Sequence, residues 1–265
     1  MLSGFTLVRN AVTLDYPIVP AIRSLLELCD EVVVNVGRSQ DGTRDLVAAV
    51  ADPRVRILDS EWDMSHAGAT LALETDRAMR ACRGAWGVYI QADEVLHEAG
   101  ATRIADRVRE WNDEPQVEGL LVDYVHLYGN FDTVATNRHW YRREVRVVRL
   151  GRDIRSYGDA QGFRMGPKHA RVRARATGAR MFHYGWARPR QSALALEWTP
   201  GLRPLTGAHP RVAREWIAAR RPAGGDGNAV APRRLRLGDL RFYASDWIER
   251  LTGARVFEYR NYVLV

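Results

Sequence analysis

Gly87-Val88-Tyr89-Ile90-Gln91-Ala92-Asp93-Glu94 is the stretch on which the reading of this chain turns. Its first five residues form an apolar run of strand length, and the next three end in two carboxylates. A buried strand therefore delivers acidic groups at its carboxyl end. Carboxylates withdrawn from water need a cation or hydrogen-bond donors. A divalent ion such as Mn²⁺ or Mg²⁺ bridging Asp93 to a diphosphate meets that need. Asp93 capping the head of a helix meets it equally well, and these eight residues do not choose.

Working outward, residues 4–9, 31–36 and 55–58 read as further buried strands. Ile18, Ile22, Leu25, Leu26 and Cys29 recur at helical spacing, a second helix begins with Asp41 or Thr43 as its cap, and a third covers 69–83. This alternation predicts a parallel, doubly wound sheet with its ligand at the carboxyl ends of the strands. Beyond residue 115 the pattern loosens. Strands at 119–125 and 145–150 suit a more mixed sheet, with a helix around 243–251 and a last strand near 259–265. Residues 220–234 are rich in breakers and lack periodicity, which predicts a mobile loop.

The 265 residues suffice for one large domain with an appendage. No apolar run reaches bilayer length, and the opening apolar stretch has no charged segment before it, so the sequence predicts a cytoplasmic chain. Two cysteines, Cys29 and Cys82, fall in helical patterns and predict reduced thiols. The net charge of +7 is carried almost wholly by arginine, with Lys168 the only lysine. Arginine suits phosphate groups and anionic membrane surfaces, so peripheral membrane association is compatible with it. Nucleic-acid binding is not expected: the chain has no zinc-finger spacing, no RNA-recognition signature and no basic helix interleaved with aromatics.

Val8-Arg9-Asn10 after the first strand, Ser39-Gln40-Asp41-Gly42-Thr43 after the second and Gln91 to Glu94 after the fourth have the order and spacing of the family 2 glycosyltransferases, which the chain resembles. The likeness is to a bacterial family 2-like subgroup found among surface-polysaccharide genes. It extends through Arg9-Asn10-Ala11, Gly42-Thr43-Arg44, residues 89–98, His139-Trp140-Tyr141-Arg142-Arg143-Glu144, Asp159-Ala160-Gln161-Gly162-Phe163-Arg164 and His183-Tyr184-Gly185-Trp186. Gly207-Ala208-His209-Pro210 and Glu258-Tyr259-Arg260-Asn261-Tyr262 carry it nearly to the end.

The resemblance implies an α/β GT-A fold with a mixed central sheet. It divides the chain into a nucleotide-sugar-binding and catalytic domain at 1–190 and a C-terminal extension at 191–265. The implied activity is transfer of a sugar, with inversion, from a nucleotide-diphosphate donor to a hydroxyl acceptor on a glycan, lipid-linked glycan or small molecule. Donor contacts fall to Val8, Arg9, Asn10, Gly37, Ser39, Asp41, Gln91 and Ala92, and Arg9, Arg77, Arg142 and Arg143 are candidates for the diphosphate. Asp93 takes the last place of the family's metal motif, whose first carboxylate is Gln91 here, and His183 is implied as a second ligand for Mn²⁺ or Mg²⁺. Asp159 lies where related enzymes carry the general base, with Asp123 and Glu94 as competitors. Val36 stands where many members place a nucleobase-binding aspartate. Gln91 and Val36 motivate the alternative, a catalytically silent sugar-nucleotide or polysaccharide-binding module on the same fold.

Overall fold

The computed structural model describes residues 1–66, 68–136, 140–187, 201–221, 240–252 and 260–265. The first half alternates as expected. Strands β1 (Leu2–Val8), β2 (Glu31–Gly37), β3 (Val55–Ser60) and β4 (Trp86–Tyr89) are interleaved with helices α1 (Ala11–Leu14), α2 (Ile18–Leu26), α3 (Thr43–Ala48) and α4 (Ala69–Arg80). After β4 come β5 (Glu94–Leu96), α5 (Glu98–Trp111), β6 (Gly119–Tyr128), β7 (Thr133–Ala135) and β8 (Arg143–Arg149). Then follow β9 (Ile154–Tyr157), β10 (Gly162–Met165), β11 (Ala170–Trp186), β12 (Leu202–Pro204), α6 (Arg214–Ala218), α7 (Leu240–Thr252) and β13 (Tyr262–Leu264).

The main sheet runs β3-β2-β1-β4-β8-β6-β11-β10-β9. β1 to β4 are mutually parallel where they pair, and β8 enters antiparallel between β4 and β6. The α/β class with a mixed central sheet is therefore what the structure shows. The parallel half is apolar on both faces because helices cover both. Leu2, Val8, Val34 and Val88 pack with Ile18, Ala21, Ile22 and Leu25 of α2 and with Ile104 of α5, while Phe5, Leu7 and Val33 pack with Ala78 and Met79 of α4. Each such aliphatic side chain taken from water contributes about 1.5–3 kcal/mol.

β11 spans 17 residues and joins the two halves. It pairs with β6 along most of its length, with β10 and β13 near its start, and with β5 near its end. Its register against β6 shifts between Ala176 and Arg180 and again between His183 and Trp186. The segment Arg180–His183 thus forms an uninterrupted ladder with Asp123–His126, bracketed by irregularities.

Two expectations about helix ends change. Asp93 does not cap a helix: it sits in the turn between β4 and β5, and α5 begins later with His97 as its cap, whose ring accepts from the Ala99 amide. Gly42 holds the cap position of α3, although Asp41 beside it accepts the Thr43 amide at 3.0 Å. Cys29 and Cys82 are free thiols, as expected, and burial raises the pKa of both. The boundary near residue 190 and residues 222–234 of the expected loop at 220–234 lie outside the described residues. On the far side of that boundary, β12 pairs with β7 and β13 with β11. No helix among the described residues is long and apolar enough to cross a membrane.

Candidate active site

At the carboxyl ends of β1 and β4 lies a cavity of about 350 Å³ lined by Val8, Arg9, Asn10, Tyr16, Trp62, Met64, Gln91, Ala92, Asp93, Asp159 and Ala160. Open α/β sheets bind ligands at this end, and the volume suits a nucleotide-sized ligand in part. Six of the sequence-predicted site residues, Val8, Arg9, Asn10, Gln91, Ala92 and Asp93, meet Asp159 here.

The β1 and β2 loops are stitched together. The Asn10 amide donates to Ser39 Oγ at 3.0 Å, the Gln40 amide donates to Asn10 Oδ1 at 2.9 Å, and the Thr13 amide donates to Asp41 Oδ2 at 2.7 Å. Ser39 and Asp41 thus hold the loop that carries Arg9 and Asn10. Gly37 and Ser39 line a neighbouring depression and not the Asp93 cavity. Gly37 has its own steric reason: a Cβ there would come within 2.6 Å of the Trp62 indole. Its bare backbone lets Trp62 lie against β2, where the indole N–H donates to Ser60 Oγ at 3.1 Å.

Asp159 occupies the turn between β9 and β10. The Asp76 carboxylate of α4 accepts the Ser156 amide at 2.7 Å and anchors β9, and the edge of Phe163 meets Tyr89 at 5.5 Å between ring centres. Gln91 reaches this turn, its amide donating weakly to the carbonyls of Asp159 and Ala160 at 3.4 Å each. The neutral residue in place of a carboxylate therefore braces the turn. Among the described residues no hydrogen bond reaches the exposed Asp159 carboxylate, so it does not close an Asx-turn.

The two competing carboxylates are engaged elsewhere. Glu94 is fully buried and accepts from Arg146 Nε at 3.2 Å, Arg146 Nη2 at 3.0 Å, Tyr124 Oη at 2.7 Å and the Gln91 amide at 3.0 Å. Four donors thus occupy the Glu94 carboxylate, and Glu94 does not line the cavity. Asp123 is paired with Arg143 at 2.6 Å and does not line the cavity. Of the four candidate arginines only Arg9 lines it; Arg77 pairs with Glu74 at 3.2 Å, and Arg142 with Glu249.

Asp93 and His183 converge. Asp93 Oδ2 lies 3.3 Å from His183 Nε2, and both side chains are largely buried. Gly185 makes room, since a Cβ there would stand 2.6 Å from both of those atoms. An aspartate, an imidazole and diphosphate oxygens would be a donor set suited to Mn²⁺. Among the described residues no cluster of three or more His, Cys, Asp or Glu side chains is placed to hold a metal, so further ligands would come from substrate and water. Burial opposes charge on the His183 ring, but the Asp93 carboxylate outweighs it and holds the pKa above the ordinary histidine value. Behind His183, His126 Nδ1 lies 2.9 Å from His183 Nδ1 and His126 Nε2 lies 2.8 Å from the Tyr141 carbonyl. Burial and then the charge of His183 push His126 well below the ordinary value, so its ring is neutral.

Tyr16, Trp62, His126 and Arg146 escaped the sequence reading, and Gly185 entered it only as part of a matching segment. Trp62 had a usable signal, since it follows the end of a strand, where ligands gather. The others act through contacts between segments distant in sequence.

No protein-family model and no curated protein sequence matches this chain. Among solved structures, it is similar to Staphylococcus aureus TarS 1–349, with 18% identity over 49% of this chain and 37% of that one, at a TM-score of 0.40. A second is Mycobacterium tuberculosis glucosyl-3-phosphoglycerate synthase in complex with Mn²⁺, uridine diphosphate and phosphoglyceric acid: 18% identity, 48% and 43% covered, TM-score 0.33. A third is the mannosyltransferase PcManGT from Pyrobaculum calidifontis in complex with GDP-Man and Mn²⁺: 23% identity, 48% and 35% covered, TM-score 0.35. The matched part is about half of this chain and about two fifths of each of those proteins.

Proposed function

We propose that this chain is a metal-assisted glycosyltransferase of the family 2-like type, moving a sugar with inversion from a nucleotide-diphosphate donor to a hydroxyl acceptor. The observation that carries the proposal is the Asp93–His183 pair packed against Gly185, with Asp93 lining the cavity at the carboxyl end of the sheet. Arg9 and Asn10 stand at the same cavity to meet phosphate oxygens, and Trp62 and Tyr16 offer flat apolar surface to a base. A divalent ion held by Asp93 and His183 would supply positive charge to the departing diphosphate. Asp159 takes the proton of the acceptor hydroxyl as the anomeric carbon is attacked from the opposite side. Its carboxylate suits that role because it is exposed at the cavity and no donor among the described residues holds it.

A thermal-shift panel of nucleoside diphosphates, each with and without Mn²⁺, tests the reading, because a ligand that binds only the native state raises its stability. A rise that requires both nucleotide and metal supports it, and no rise with any pair would sink it. Nucleotide binding without hydrolysis of any matching nucleotide sugar would favour a silent binding module, a role compatible with Gln91 bracing the turn.

A further inference from the structure

We propose that the chain holds a second ligand site beside the Asp93 cavity, and that this site takes a sugar ring carrying a single negative charge, the acceptor of the transfer. The acceptor role rests on the transferase reading; the binding site rests on its own walls. A separate cavity of about 320 Å³ is lined by His126 of β6, Trp140 and Tyr141 ahead of β8, Arg203 of β12 and the Arg142–Glu249 ion pair. Strand directions fix its place. β4 and β6 each run antiparallel to β8, and β11 runs parallel to β6, so the carboxyl ends of β4, β6 and β11 share one edge of the sheet. The two cavities are neighbours along that edge: Asp93, in the wall of the first, lies 3.3 Å from His183, which lies 2.9 Å from His126, in the wall of the second. Group transfer needs two ligands that meet at such a border.

The walls define the class of ligand. One face of a pyranose is a set of C–H bonds with slight positive charge, which the negative face of an aromatic ring attracts, while its hydroxyls need polar groups around them. Trp140 and Tyr141 are partly exposed and supply the aromatic surface, and Thr136 and the Arg142–Glu249 pair supply donors and acceptors. The volume is at the lower end of the range for small-molecule sites, which suits a monosaccharide-sized group. Glu249 neutralises Arg142, whereas Arg203 is exposed and no acid pairs with it among the described residues. One uncompensated positive charge is therefore left on the wall. Its complement is a monoanion, and the guanidinium fork matches a carboxylate and a phosphodiester alike.

Saturation-transfer NMR on the full chain tests this with methyl glucoside, methyl glucuronide and a methyl phosphodiester of glucose, together with their galacto counterparts. Each is measured with and without uridine or guanosine diphosphate and Mn²⁺. In the wild type at least one charged sugar is expected to bind tighter than its neutral counterpart by roughly tenfold or more, and the better anion identifies the natural group. Nucleotide and Mn²⁺ should not displace it. Arg203→Gln should bring the charged sugars down to the neutral one, and Trp140→Leu should weaken all of them. No preference for charge in the wild type, an undiminished preference in Arg203→Gln, or displacement by nucleotide overturns the proposal. If the sugars fail while nucleotide and Mn²⁺ still raise the melting temperature, the second site alone is wrong. If a charged sugar binds but no nucleotide does, the transferase reading has failed and the acceptor role falls with it. Should Trp140→Leu fail to fold, Arg203→Gln, a change at an exposed position, still decides.

Discussion

Asp159 carries its carboxylate on an exposed turn at the cavity beside Asp93, and the charge is the part of that side chain the proposed chemistry uses. Asp159→Asn keeps the size of the group and removes its basicity. We expect kcat to fall on the order of 10²-fold with donor affinity nearly unchanged, the pattern of a lost general base, checked by steady-state kinetics beside nucleotide titration. Unchanged kcat would move the base elsewhere. Gly185 poses the complementary question. Gly185→Ala places a methyl 2.6 Å from Asp93 Oδ2 and His183 Nε2, so one of them must swing away. Displacements of about an ångström at reacting groups cost on the order of 10²-fold in rate. We expect that loss together with weakened Mn²⁺ binding and native circular dichroism; full metal affinity in Gly185→Ala would show that the Asp93–His183 pair is not the ion site.

β5 and β8 are tied through the buried pair of Glu94 and Arg146, both at zero side-chain exposure, with the guanidinium centre 5.3 and 5.2 Å from the rings of Tyr89 and Tyr124. Removing one member of such a pair strands the other. Arg146→Met is expected to destabilise the fold by about 3–5 kcal/mol in urea denaturation, and adding Glu94→Met should return part of it. A loss below about 1 kcal/mol, typical of exposed pairs, would contradict the role assigned here. The same pair shows why legibility in the sequence was uneven. β1, β2, β4 and α2 announce themselves because a strand covered on both faces is a continuous apolar run and a helix on a sheet is periodic. For Asp93 the strand end was legible too. Glu94, one residue on, looked identical in type, and only the arrival of Arg146 and Tyr124 from β8 and β6 shows that its carboxylate is tied into the core while that of Asp93 lines the cavity. The start of β11 was legible in principle, since Arg171, Arg173 and Arg175 are exposed and alternate with buried Val172 and Ala174, but a reading guided by continuous apolar runs passes over a strand of this kind.

Across the whole molecule, Glu144 couples stability to pH. It is buried, one carboxylate oxygen accepts from Asn261 at 2.9 Å, and the other has no partner among the described residues. Burial raises its pKa from 4.5 to about 7, against the opposing pull of Arg146. An acid raised in the folded state holds its proton more tightly there than in the unfolded chain. Its contribution is therefore greatest below the unfolded value, declines as pH climbs towards 7, and is flat above it. Glu144→Gln should remove that slope and exceed wild type in stability by on the order of 2–3 kcal/mol under alkaline conditions. Parallel pH profiles of the melting temperature in the two proteins would count against it. The two register shifts of β11 have a different kind of consequence. Because irregularities bracket Arg180–His183, a residue gained or lost in the β10–β11 hairpin can be taken up at the first shift without turning His183 to the opposite face of the sheet. The outer hairpin is thereby free to change length over evolutionary time while His183 keeps its place beside Asp93.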